Sequence, residues 1–133
     1  MTTGMITALY AGLLGLLLVY LSARVILGRQ KHLVDIGDGG QPALARAIRT
    51  QGNFTEYVPL ALLLILVLEV LGTRPIVLHG LGLALILARL AHLQGFGLSK
   101  GTSGGRTIGA AGTFGVIIVA SVLALLASYG VKV

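Results

Sequence analysis

Four polar residues follow one another at helical spacing in the second quarter of the chain. They are Arg46, Arg49, Asn53 and Glu56, and at about 100° per residue they fall within an arc of about 80° on one helix face. Arginine holds carboxylates through paired hydrogen bonds, while a glutamate can bind an ammonium group. This face is therefore suited to a small ligand that carries both kinds of charge.

Other basic residues are expected at the same end of the molecule. Arg89, His92 and Phe96 share one face of a later helix, and Arg24 and Arg106 stand at the ends of two further helices. Taken singly, His92 could be an interhelical hydrogen-bonding residue and each arginine an interfacial anchor. Taken together, so many cations are too costly to bury without a counter-charge, and the cluster predicts an anion-binding site.

The ligand of such a site is narrowed by chemistry but not identified by it. Two carboxylates and one ammonium group describe glutathione, and they also describe other peptides and amino acids. The chain contains no cysteine, which excludes disulfides, thiolate metal sites and a cysteine nucleophile. Any thiol chemistry must then use a thiol of the substrate, and no metal site is predicted.

The elements that position these residues are membrane spans. Of the 133 residues, 56% are hydrophobic and 11% are charged, and the mean hydropathy is +0.97. This composition predicts an all-α integral membrane protein, a single domain of residues 1–133 that forms a four-transmembrane-helix bundle. Its helices are expected at about residues 3–27, 43–71, 75–95 and 106–129. Helix contacts are predicted at small residues with four-residue spacing, among them Gly12, Gly80 and Gly115.

The second helix cannot be apolar along its whole length. Its uncharged stretch, Tyr57–Leu68, has about a dozen residues, whereas a span needs about 20. Part of the polar segment Arg46–Glu56 must therefore lie at membrane depth, where ionisable groups usually face a bundle interior or a polar cavity. The alternative is a face at headgroup level, which Arg46 fits best and Glu56 fits worst.

The net charge of +6 is better explained by topology than by nucleic acid. Aromatic residues make up only 5% of the chain, and the basic residues lie between apolar runs. The loops Gly28–Gln41 and Gly95–Gly105 and their flanks hold most of them, whereas the other side has Arg74 and Lys132. The positive-inside rule predicts that the loops and the polar site face the cytoplasm and that both termini lie outside.

The segment RTQGNFTEYVP, Arg49–Pro59, closely resembles the second-helix signature of the MAPEG family, the membrane-associated proteins of eicosanoid and glutathione metabolism. That signature is an arginine, an asparagine four residues on, a glutamate three further, and then a proline. Ala88–Phe96 resembles the third-helix motif and Ser22–Arg24 the end of the first helix. The resemblance, to the small bacterial branch of the family, implies a homotrimer in the inner membrane, with glutathione bound between neighbouring subunits.

Residue by residue, the resemblance implies that Arg49, Asn53 and Glu56 hold glutathione. It implies further glutathione-binding positions at Arg24, Tyr57, Arg89 and His92. The family's catalytic arginine opens the fourth helix, and this position matches Arg106. His92 and Phe96 stand where some members have tyrosines, so those hydroxyl contacts would be absent.

The predicted function is that of a glutathione-dependent membrane enzyme, a transferase or peroxidase. Glutathione would be the co-substrate, and its thiolate would attack a lipophilic electrophile delivered from the bilayer. The alternative is a non-catalytic glutathione- or lipid-binding protein on the same scaffold. A small transporter or channel is less favoured, because it needs polar residues through the full membrane depth and Thr107–Ser128 offers few.

Overall fold

The computed structural model describes residues 5–94 and 104–133, which form four α-helices. These are α1 (Met5–His32), α2 (Pro42–Val70), α3 (Pro75–Gln94) and α4 (Gly104–Ser128). Each is long and apolar enough to cross a membrane, and α3, with 20 residues, is about 30 Å long, which matches the hydrocarbon core of a bilayer. The predicted all-helical, four-span architecture is confirmed. The expected helix ends at residues 3 and 95 and most of the second loop lie outside the described residues.

The first helix is longer than the sequence predicts. α1 continues through Gly28 to His32 instead of ending near Leu27, so the predicted loop Gly28–Gln41 shrinks to residues 33–41. Gly28 does not terminate the helix. It lies against α2, where an added Cβ would come within 3.0 Å of a methyl group of Leu44.

The true end of α1 is a turn of the Schellman type. The N–H of Val34 donates to the carbonyl of Arg29 at 3.0 Å, and the N–H of Leu33 donates to the carbonyl of Gln30 at 3.4 Å. Leu33 takes the left-handed conformation that usually belongs to glycine, with φ of 55°. Because a leucine holds this position, the sequence carries no glycine signal at the point where the helix stops.

α2 and α3 form the centre of the bundle, because each of them packs against the other three helices. Their inward faces supply fully buried side chains, including Ile65 and Leu68 of α2 and Leu78 and Leu85 of α3. Within the described residues, α1 and α4 do not contact each other. The outward faces of all four helices remain apolar and exposed, as expected for surfaces that contact lipid or another subunit.

Glycines allow close helix contacts, but not the glycines that the spacing predicts. A Cβ on Gly82 of α3 would overlap the ring of Tyr10 of α1, and one on Gly109 of α4 would lie 2.5 Å from the backbone nitrogen of His92. At three glycines of the four-residue pattern no described atom comes within 4 Å of an added Cβ: Gly12, Gly80 and Gly115. These three glycines therefore make no close contact within the chain, whereas Ala88, eight residues after Gly80 in the same spacing, lies 2.9 Å from an added Cβ on Gly112 of α4.

One end of the bundle is closed by a short turn and a cap. Residues 71–74 join α2 to α3, and Gly72 makes this turn with φ of 83°. The Glu69 carboxylate of α2 accepts hydrogen bonds from the N–H groups of Ile6 at 2.9 Å and Thr7 at 2.8 Å, in the first turn of α1. We call the other end, where α1 and α3 end and α2 and α4 begin, the polar end.

Candidate functional site

α2 presents its polar face to an open groove at the polar end. Arg46, Arg49 and Asn53 line this groove, which has a volume of about 710 Å³, and Ala45 lies beside them. The structure thus brings together three of the four residues that helical spacing places on one face. The side chain of Arg49 is 71% exposed, so it is available to a ligand or to another subunit.

The facing wall of the groove belongs to α4, with a contribution from α3. Arg106, in the first turn of α4, is half-buried and lines the groove. The following turns add Thr107 and the apolar side chains of Ala110, Ala111 and Phe114. From α3 comes His92, which is buried.

The charged lining is predicted from the sequence, whereas the apolar lining is not. Ala110, Ala111 and Phe114 follow Arg106 by four, five and eight residues. At about 100° per residue, Ala110 and Phe114 lie about 40° and 80° from Arg106 around α4, and Ala111 lies about 140° away on the same flank. Counting from that arginine is the signal that would have found the apolar wall.

Arg89 lies beneath the groove and does not line it. Its side chain is buried, at 3% exposure, and both terminal nitrogens bind protein atoms. Nη1 donates to Oδ1 of Asn53 at 2.9 Å, and Nη2 donates to the carbonyl of Gly109 at 3.4 Å. Arg89 therefore connects α2, α3 and α4 at the level of the groove.

Glu56 and Tyr57 lie one turn further from the polar end than Asn53. Oε1 of Glu56 forms an ion pair with Nη1 of Arg49 at 3.6 Å, and the glutamate side chain is 47% exposed. The ring of Tyr57 meets that of Phe114 edge to face, with centroids 5.1 Å apart. Both residues thus contact members of the groove lining.

α1 does not contribute to the described lining of the groove. Arg24 is half-buried on α1, and the described groove lining comes from α2, α3 and α4. α1 instead contacts α2 through Ser22, whose Oγ accepts a hydrogen bond from Nε2 of Gln51 at 2.8 Å. The position of Phe96 lies outside the described residues.

The groove combines two kinds of surface. Three guanidinium groups and the Asn53 amide offer many hydrogen-bond donors and positive charge. The α4 wall offers apolar contact, and Phe114 is exposed at its end. Such a groove can hold an anion at its polar side while an apolar molecule approaches along α4.

Comparison with known proteins identifies the family. The sequence model of the MAPEG family matches residues 7–126. The chain belongs to the MAPEG family. The prediction from the arginine, asparagine and glutamate signature of α2 is thereby confirmed, and family membership together with the four apolar helices makes the chain an integral membrane protein.

This MAPEG chain is similar to bacterial relatives over most of its length. Inner membrane protein YecN of Escherichia coli strain K12 is 42% identical over 92 residues, which cover 69% of this chain and 70% of that protein. The protein of the same name from Escherichia coli O6:H1 strain CFT073 matches with the same identity and coverage.

Proposed function

We propose that this MAPEG protein is a glutathione-dependent enzyme of a bacterial inner membrane, a transferase or peroxidase acting on lipophilic electrophiles. The observation that carries the proposal is the composition of the groove. Arg46, Arg49 and Arg106 converge on it, and an apolar wall of α4 stands beside them. The name of the YecN relatives supports the location in the inner membrane.

The charges around the groove match those of glutathione. Two carboxylates suit the guanidinium groups, which bind such anions through paired hydrogen bonds. The ammonium group suits the carboxylate of Glu56, which lies beside Arg49. A simple anion with no ammonium group fits these charges less well, because the carboxylate of Glu56 would repel it.

Arg106 is the proposed catalytic residue, because it lies in the groove on the wall that also carries the apolar lining. A cation about 4 Å from a thiolate, at an effective dielectric constant of about 20, stabilises it by up to roughly 4 kcal/mol before solvation losses. About 1.4 kcal/mol changes the ionisation constant of a thiol tenfold. A third of the roughly 4 kcal/mol would therefore raise the ionisation constant of the glutathione thiol about tenfold. The thiolate that this produces is the nucleophilic form. The sulfur would then bond to the electrophilic carbon, and the leaving group would depart with its electron pair.

The exposed charges of α2 support the proposed homotrimer. With the Val70 end of α2 at one edge of a hydrocarbon core of about 30 Å, Glu56 would lie about 21 Å into the core at 1.5 Å per residue, and Arg49, at about 32 Å, would lie at its other edge. The side chains of Glu56 and Arg49 are nevertheless exposed on the single chain. A neighbouring subunit against this face would remove both from lipid and would place the groove between subunits.

Calorimetric titration of the detergent-solubilised protein with glutathione tests the proposal. Glu56→Gln should weaken binding by about 1.5–3 kcal/mol, the usual value of a hydrogen bond to a charged group, or roughly tenfold to hundredfold. Asp35→Asn is the matched control, because it removes the same charge from the exposed loop at the polar end and should leave affinity unchanged.

The thiolate absorbance of bound glutathione and turnover of a reactive aryl halide complete the test. Wild-type protein that binds glutathione but shows neither signal would be the non-catalytic binding protein. Absence of glutathione binding by the wild-type protein would refute both the proposed enzyme and a non-catalytic glutathione-binding protein.

A further inference from the structure

Arg89 is a buried cation within a membrane span. It lies about 21 Å along α3 from Pro75, at 1.5 Å per residue, and is 3% exposed. Among the described residues no carboxylate lies within ion-pair distance of it. A charge at this depth without a counter-ion is costly, and such residues commonly belong to functional sites.

The contacts of Arg89 join it to the groove without exposing it there. Its Nη1 donates to Oδ1 of Asn53, which lines the groove, and its Nη2 donates to the carbonyl of Gly109. The same carbonyl also accepts a hydrogen bond from the hydroxyl of Thr113 at 2.9 Å. α4 comes this close because Gly109 has no side chain, since a Cβ there would lie 2.6 Å from the carbonyl oxygen of Ala88.

The chemistry of the guanidinium group determines how Asn53 is oriented. Arginine has only donors, so the Asn53 atom that faces it must be the carbonyl oxygen. With Oδ1 held by Arg89, the two N–H donors of the Asn53 amide are left for the groove. In this orientation Asn53 offers its two N–H donors to a ligand.

We propose that Arg89 is a positioning residue, which acts through Asn53 to hold its amide donors toward a ligand carboxylate and does not itself contact the ligand. The inference rests on the proposed function in taking glutathione as the ligand. It gives Arg89 a role different from the direct glutathione contact that the family resemblance implies. The charge of Arg89 also favours an anion in the groove above it.

The sequence offers a direct probe, because Asn53 is the one asparagine in the chain. Protein labelled with isotopic nitrogen at the asparagine side chain gives a single pair of amide signals by nuclear magnetic resonance in detergent micelles. Glutathione should shift this pair in the wild-type protein. Arg89→Gln should move the pair in the absence of ligand and lower the affinity for glutathione by about tenfold or more, or about 1.4 kcal/mol.

Two further variants separate positioning from folding. Thr113→Val removes the other hydrogen bond to the Gly109 carbonyl and leaves Arg89 in place. It should change neither the Asn53 signals nor the affinity for glutathione. Asn53→Asp retains an acceptor for Arg89, so it should fold, but it replaces the donors in the groove and should lower affinity by about tenfold or more. If Arg89→Gln does not fold, the affinity of Asn53→Asp for glutathione is the measurement that can still refute the proposal.

The possible failures are distinguishable. A wild-type protein that binds no glutathione overturns the proposed function, while the ligand-free signals still test the bond between Arg89 and Asn53. If Arg89→Gln folds with unchanged Asn53 signals and unchanged affinity, the positioning role is refuted. Full affinity in Asn53→Asp also refutes it, because the amide donors would then have no part in binding.

Discussion

Replacing Gly109 with alanine places a methyl group where α4 meets the backbone of α3. The added Cβ would lie 2.5 Å from both the backbone nitrogen and the Cβ of His92, and 2.6 Å from the carbonyl oxygen of Ala88. Non-bonded carbon atoms normally approach to about 3.5–4.0 Å. Because two of the three atoms belong to the backbone, no side-chain rotation relieves the overlap, and α4 must move away by about 1 Å.

The expected cost follows from two opposing effects. Overpacking of this kind costs about 1–3 kcal/mol, and backbone contact favours the upper half of that range. Alanine is a better helix former than glycine by about 0.8–1.0 kcal/mol, which offsets part of the loss. Gly109→Ala should therefore lower the free energy of unfolding by about 1–2 kcal/mol. It should also weaken glutathione binding, because His92 lines the groove and Arg89 donates to the Gly109 carbonyl.

Reversible unfolding in mixed detergent, followed by circular dichroism at fixed protein concentration, measures this change. Gly115→Ala is the control on the same helix, where no described atom lies within 4 Å of the added Cβ. It should leave stability unchanged or raise it by up to about 1 kcal/mol. If Gly109→Ala is as stable as the wild type, α3 and α4 are not in the contact described. If Gly115→Ala is equally damaging, the loss arises from a covered outer face of α4 and not from the contact with α3.

Three other predictions test different parts of the molecule. Leu33→Gly should raise the free energy of unfolding by about 0.5–1 kcal/mol, because the left-handed backbone strains leucine and its exposed side chain (92%) makes few contacts to lose. Thermal unfolding measures this change, and a loss of stability would mean that Leu33 packs against lipid or a partner. Reporter fusions should read as cytoplasmic at Gly39 and external at Val133; the reverse result would invert the proposed topology. Arg106→Ala should leave glutathione affinity within a few-fold but remove the thiolate absorbance, and turnover should fall about tenfold for each 1.4 kcal/mol of lost stabilisation. Arg106→Lys should restore only part of both, and full activity in the alanine variant would place the catalytic cation elsewhere.

The helix boundaries show which sequence signals are reliable. α2 and α3 begin at Pro42 and Pro75, where proline fits the first turn of a helix, and both starts are predicted within a residue. The end of α1 is missed because Gly28 resembles a terminator while Leu33 holds the left-handed position. A glycine inside a helix and a glycine after it look alike in a sequence, and only the backbone conformation distinguishes them.

The site shows a different limit. Residues three apart on a helix differ by about 60° in direction, so Arg89 and His92 share a face by periodicity. In the structure, His92 lines the groove while Arg89 is buried beneath it, bonded to Asn53. The difference depends on how α3 is rotated about its axis, and that rotation is set by contacts such as Gly109 against His92. Helical periodicity predicts which charged residues share a face, but it does not distinguish residues that line the groove from residues that are buried beneath it.

The exposed pair of Arg49 and Glu56 is a physical reason for both the proposed trimer and the proposed ligand. On the insertion scale an acidic residue at the centre of a membrane helix costs about 2.5–3.5 kcal/mol. The ion pair with Arg49 at 3.6 Å leaves the side chain of Glu56 47% exposed and that of Arg49 71% exposed. A neighbouring subunit would shield them from lipid, and an amphoteric ligand would supply the remaining counter-charges. If the ligand binds where two subunits meet, association and binding are thermodynamically linked. Glutathione would then strengthen the trimer by the same factor by which the trimer strengthens glutathione binding.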